Sequence, residues 1–135
     1  MYYAMLLFSR FAQGARDLRP VQLDQVQPAG ARVTAWEVED EHRFDTTFLI
    51  NKSSSAVTAD VSVPDGSSRV DVSRMTPYDP TGTGRTLDAP QVRVDNRVVA
   101  DDGTWPGFDP QALEPQSGRV EVVLSPGEAA VLSPR

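Results

Sequence analysis

At 135 residues the chain is long enough for one domain, which at this size buries about two-thirds of the surface its unfolded form exposes. Thirteen Lys and Arg against nineteen Asp and Glu leave a net charge of −6, which excludes the basic footprint that nucleic acid or an anionic membrane surface requires. The absence of cysteine removes disulfides, thiolate metal sites and cysteine nucleophiles together, without fixing a compartment.

Met1 to Phe8 is an unbroken apolar and aromatic run. Helical spacing places Tyr3, Leu7 and Phe11 on one stripe and Ala4, Phe8 and Ala12 on the next, with Met5 and Leu6 widening the face. Gln13-Gly14 supplies a stop. The run is short of the ~20 apolar residues a spanning helix needs. No basic stretch precedes it, so it does not read as a signal peptide. A short helix that is apolar almost all round is buried inside something larger. Residues 1–16 therefore read as the last packed helix of a bigger protein, and residues 17–135 as a β-sandwich domain. One sandwich face cannot cover Tyr2, Tyr3, Leu6, Leu7, Phe8 and Phe11 together. These six are the expected interface, toward a second domain or, in the isolated chain, a second copy, which is expected to pair through this helix or through an open strand edge.

Beyond Leu18 the pattern changes to short alternating runs. Val21 to Gln25 predicts a first strand, Arg32 to Glu39 a second with Trp36 in the core, and Phe44 to Asn51 a third. That third run is nearly continuous in apolar content, as expected of a strand covered on both faces. Asn51 to Ser55 reads as a polar turn. Val57, Ala59, Val61 and Val63 alternate into a fourth strand, and Val70 to Met75 forms a fifth. Thr76 to Pro90 reads as an irregular stretch. Val92 and Val94 resume a strand, Asp95-Asn96 supplies a tight turn, and Val98 and Val99 are expected to pair back. Asp101 to Gln116 is read as a loop. Val120 to Leu124 and Ala130 to Ser133 close the chain around a Ser125-Pro126-Gly127-Glu128 turn. About eight or nine short antiparallel strands with one N-terminal helix predict an all-β sandwich.

Catalytic equipment is sparse. The one histidine, His42, stands in the acidic run Glu37 to His42, where a solvated hairpin turn explains it better than a metal site. Glu37 and Glu39 share a strand face, but nothing marks a cleft between facing acids of the kind glycoside cleavage uses. No nucleophile elbow, phosphate loop or dinucleotide fingerprint occurs. No catalytic residue, metal ligand or cofactor is assigned. Trp105, Phe108 and Tyr78 are candidate carbohydrate contacts, since aromatic faces in loops suit sugar rings; for Trp105 the competing expectation is that it plugs an open end of the core.

Tyr2-Tyr3-Ala4-Met5-Leu6-Leu7-Phe8 resembles the last barrel helix of glycoside hydrolase family 79, the β-glucuronidase and heparanase-like enzymes. Val92 to Val94, followed by Val98-Val99-Ala100-Asp101-Asp102-Gly103-Thr104-Trp105, resembles the D-G-x-W segment of that family's C-terminal β domain. Phe48-Leu49-Ile50-Asn51-Lys52 is similar to its N-K strand end, and Val120 to Leu132 to its closing hairpin. Only the Thr76 to Pro90 stretch departs from the pattern. The resemblance implies a (β/α)8 catalytic barrel N-terminal to this piece, holding both catalytic glutamates, and a sandwich packed beside it. It also implies that the sandwich borrows a strand from the N-terminus of a full-length chain. The function this implies is a non-catalytic accessory domain that stabilises the barrel. The alternatives are a carbohydrate-binding module and a stand-alone interaction domain derived from such a hydrolase.

Overall fold

The structure, a computed structural model, describes residues 2–23, 25–39, 41, 45–79 and 91–135, and leaves the side chains of Tyr2 and Tyr3 undescribed. One helix, α1 (Tyr2–Ala12), precedes ten strands: β1 (Asp17–Val21), β2 (Gln25–Gln27), β3 (Val33–Glu39), β4 (Asp45–Asn51), β5 (Val57–Ser62), β6 (Val70–Tyr78), β7 (Gln91–Val94), β8 (Gln111–Leu113), β9 (Arg119–Leu124) and β10 (Ala129–Pro134). All pairings are antiparallel. A large sheet runs β1-β3-β4-β10-β6-β7, with β8 also pairing on β6, and a small sheet runs β2-β5-β9. The expected sandwich is therefore present, with ten described strands in place of eight or nine.

The core between the sheets is built by strict alternation. Ala59 and Val61 of β5 and Val120, Val122 and Leu124 of β9 meet Ala35, Leu49, Val70, Val72, Ala130 and Leu132 of the large sheet. The large sheet is buried on its other side as well. Leu7 and Phe11 of α1 pack there with Val38, Ala129 and Val131, joined by Phe48, Ile50 and Met75. This explains the continuous apolar run in β4: Thr47, Leu49 and Asn51 face the small sheet, while Phe48 and Ile50 face the helix.

Asn51 is not a turn residue in the simple sense. It is fully buried, and its amide donates to the carbonyls of Ser55, Leu124 and Ser125 while its Oδ1 accepts from Ser53 N. One side chain thus ties the β4–β5 turn to the β9–β10 turn, with every polar atom satisfied. Across the same end, Arg74 Nη1 donates to Glu128 Oε1 at 2.6 Å and to the Val123 carbonyl at 2.7 Å, and Thr76 Oγ1 donates to Glu128 Oε2. Arg74 belongs to the large sheet and Val123 to the small one, so the hydrogen bond to the Val123 carbonyl bridges the layers while the ion pair holds Arg74 in place.

Four expectations change. The run from Val21 to Gln25 is not one strand: β1 ends at Val21 in the large sheet and β2 begins at Gln25 in the small one. β6 continues through Pro77 to Tyr78, because beyond Met75 it has left β10 and pairs only with β7 there, where a residue without an N–H is tolerated. Val98 and Val99 form no strand; only an isolated bridge joins Val94 and Arg97. Residues 111–113, read as loop, form β8. The open side of β9 is blunted, since Gln116 exchanges backbone hydrogen bonds with Arg119 and Arg74 takes the Val123 carbonyl. Asp40, His42 and residues 80–90 lie outside the described residues.

Candidate interface and aromatic loop

Helix α1 packs on β4, β6, β7 and β10. Its inward stripe, Leu7 at 1% and Phe11 at 3% exposure, is taken up by its own sheet. Those two residues of the expected interface are therefore occupied internally. Leu6 is half-buried, Phe8 is 54% exposed, and Met5, which the sequence reading only used to widen the face, is 65% exposed. The helix is a layer with apolar residues on both sides.

Cover by α1 runs out toward the β1–β3 edge. Leu18 lies opposite Val38 and Pro20 opposite Trp36, while Trp36 lies opposite Phe48. Val38 and Phe48 belong to the helix-side cluster. Leu18, Pro20 and Trp36 therefore share the helix side of the sheet. They are open to water there, with Leu18 at 51% and Trp36 at 37% exposure. Trp36 was expected in the core; alternation gave it the correct face, but that face has no cover at this edge. Rings lead from the helix toward the strip: Phe8 to Phe11 at 6.0 Å and Phe11 to Phe48 at 5.3 Å, with Trp36 the residue opposite Phe48 in the strand pair. The signal that marks Leu18 and Pro20, missed in sequence, is their register opposite β3.

The opposite side of the same two strands is polar. Arg19 Nε donates to Glu37 Oε2 at 2.8 Å, and its Nη2 lies 3.4 Å from Asp45. The Glu37 carboxylate, by hydrogen bond and charge, raises the Arg19 pKa above its ordinary value, and Asp45 adds to the effect.

The aromatic loop is braced from below. Asp95 and Asn96 turn the chain at positive φ, 50° and 61°, as a tight hairpin turn demands. Asp95 Oδ1 accepts from Arg74 N and its Oδ2 from Asp109 N. Arg97 donates to the carbonyls of Pro106 and Gly107 and pairs with Asp109 at 2.9 Å. Trp105 and Phe108 meet edge-to-face at 5.8 Å, and the Arg10 guanidinium of α1 lies 4.9 Å above the Phe108 ring. The loop thus packs toward the helix. Tyr78 is engaged separately, its ring covered by Arg93 at 3.5 Å. The three candidate sugar contacts are not brought together as one platform. The Asp101-Asp102-Gly103 segment opens the loop as a turn: Thr104 N donates to Asp102 Oδ1, Gly103 has φ 84°, and the side-chain and backbone bonds from Thr104 lower the Asp102 pKa.

The described residues contain no group of three or more His, Cys, Asp or Glu that could hold a metal ion, and no described helix is long and apolar enough to cross a membrane. A polar cavity of about 270 Å³ opens at the sandwich end, lined by Arg74, Thr76, Asp95, Asn96 and Glu128 among others. Its buried carboxylate is already committed to Arg74 and Thr76.

No protein-family model matches the sequence, and no curated protein sequence matches it. Among solved structures, a 4-O-α-L-rhamnosyl-β-D-glucuronidase from Fusarium oxysporum 12S, in complex with Rha-GlcA, matches 98% of this chain with a TM-score of 0.70 at 18% sequence identity. The chain spans 29% of that enzyme's length. At this identity the likeness shows a shared fold.

Proposed function

We propose that the chain is a non-catalytic accessory β-sandwich of a glycoside hydrolase of the family 79 type, which packs against a (β/α)8 catalytic barrel and stabilises it. The observation that carries this reading is the match to 29% of a β-glucuronidase chain, which gives the same fold as one part of a much longer hydrolase. The sequence motifs of α1, the Asn51 strand end and the Asp102-Gly103-Thr104-Trp105 segment support it. So does the chemistry: Glu37, Asp45, Asp60, Asp71, Asp109 and Glu128 are all spent on ion pairs. Residues 1–16 act as the seam to the barrel and residues 17–135 as the sandwich.

The test is hydrolysis of aryl glucuronides. The chain by itself releases no aglycone, and the polypeptide encoded by the full reading frame around it does. Turnover by the chain alone, surviving purification of an inactive-variant control, would overturn the accessory role.

A second reading, carbohydrate binding at Trp105, is favoured by one observation: the loop is held rigid by Arg97 and Asp95, as a preorganised contact residue would be. Titration with acidic and neutral oligosaccharides then changes the Trp105 fluorescence in a Trp36→Phe background. No response to any sugar removes this reading.

A further inference from the structure

We propose that two copies of the isolated 135-residue chain, in which no barrel covers α1, pair through the helix side of the large sheet, with Met5 and Phe8 of one copy seated on Leu18, Pro20 and Trp36 of the other. This inference does not rest on the hydrolase reading; it follows from the surface.

Three observations carry it. The first is chemical. β1 and β3 carry the ion pair of Arg19 with Glu37, itself 17% exposed, on one side, and Leu18, Pro20 and Trp36, open to water, on the other. Charged residues meet water at little cost, whereas a contiguous exposed apolar patch marks a surface that is covered in use.

The second is shape. α1 stands above β4, β6, β7 and β10 as a ridge, and the β1–β3 strip lies beside it without such cover. Each copy therefore carries both a ridge and a flat. A two-fold axis between them sets each ridge on the other flat, which is the self-complementarity an isologous dimer requires.

The third is area. At the ~150–250 Å² that a large aromatic side chain presents, the exposed parts of Met5, Phe8, Leu18 and Trp36 amount to roughly 400 Å² per copy. Two such patches, with a polar rim, reach the roughly 1,200 Å² at which specific interfaces begin.

Two chains of net charge −6 repel each other. An apolar contact between like-charged partners tightens with salt, whereas a contact held by ion pairs loosens.

Sedimentation velocity across protein concentration tests the proposal. A dimer is expected, strengthened between 0.15 and 0.5 M NaCl (on the order of a Debye length of 8 Å falling by half). Phe8→Ser and Trp36→Ser each raise the dissociation constant about tenfold or more, while Val123→Ser, exposed on the small sheet, leaves it unchanged. Circular dichroism establishes that each variant is folded. Because the chain has no cysteine, a mixture of Met5→Cys and Leu18→Cys chains gives an independent reading, a disulfide-linked heterodimer on mild oxidation. A monomer at every concentration overturns the proposal. So does a dimer that Val123→Ser weakens and Trp36→Ser does not, since the sheet edge would then be the contact. The hydrolase reading stands or falls separately on turnover by the full reading frame.

Discussion

The two sides of the β1–β3 edge are built from alternating residues of the same strands, yet they differ in kind: the charged side is partly covered, whereas Leu18 and Trp36 on the apolar side are open to water. One side carries Arg19, Glu37 and Asp45, which bond one another. The other carries Leu18, Pro20 and Trp36, toward which the rings of Phe8, Phe11 and Phe48 lead. Small-sheet cover ends on the first side and helix cover ends on the second. On one side the strand alternation supplies charge where cover ends; on the other it leaves apolar residues open, the surface on which the proposed pairing rests. Exposure alone would not separate Arg19 from Leu18. The chemistry of what is exposed does.

The largest effect that would sharpen this contrast lies where the charged side is truly buried. Arg74→Met leaves Glu128, 2% exposed, without its cation, and is expected to cost about 3–5 kcal/mol in urea unfolding. Arg19→Met removes an ion pair of the same type at the wet end and is expected to leave the unfolding midpoint unchanged. Equal losses for the two would break the distinction. On the helix side, Leu7→Ala opens a cavity against the sheet and costs about 2–5 kcal/mol, while Met5→Ala, one turn-face away, stays within about 0.5 kcal/mol. Leu18→Ser is likewise expected to leave monomer stability nearly unchanged, so that its whole consequence appears in self-association.

The smallest effect concerns the aromatic loop. The Asp102 pKa lies below its ordinary 3.8 because the Thr104 side chain, and to a lesser degree its backbone N–H, donate to the carboxylate; Thr104→Ala removes the first and keeps the second. A lowered folded-state value contributes stability that is present at neutral pH and lost as pH falls through that value. Thr104→Ala is expected to move the Asp102 titration, followed by NMR, back toward 3.8. A titration already at that value in the parent chain would contradict the turn geometry.

Much of the sandwich was legible because alternation is a local signal. Ala59 and Val61, or Val120 and Val122, declare a strand and its buried side in a few residues. What alternation does not carry is the identity of the neighbouring layer. Val21 and Leu23 keep their pattern through the point where the chain leaves one sheet for the other, so the break between β1 and β2 was hidden. Trp36 was placed on the correct side of β3 but assumed to be covered. β8 is three residues in a proline-rich stretch, too short to show a period. Asn51 looked like the start of a turn, and its bonds to Ser53 and Ser55 do belong to that turn; its burial and its bonds to the distant carbonyls of Leu124 and Ser125 leave no mark in the local sequence. The candidate site followed the same rule. The apolar run of α1 was visible, but the division of labour between Leu7 inward and Phe8 outward required the sheet beneath it.

The most direct measurement is the accessibility of Trp36 itself. The chain has two tryptophans, so Trp105→Phe leaves Trp36 as the sole reporter. Acrylamide quenching of that variant is expected to be strong at low protein concentration, in keeping with its 37% exposure, and to weaken as concentration rises and the strip is covered. Quenching that is strong and independent of concentration, at a concentration where the chain is seen to associate, would show that the apolar side of β1 and β3 stays open to water.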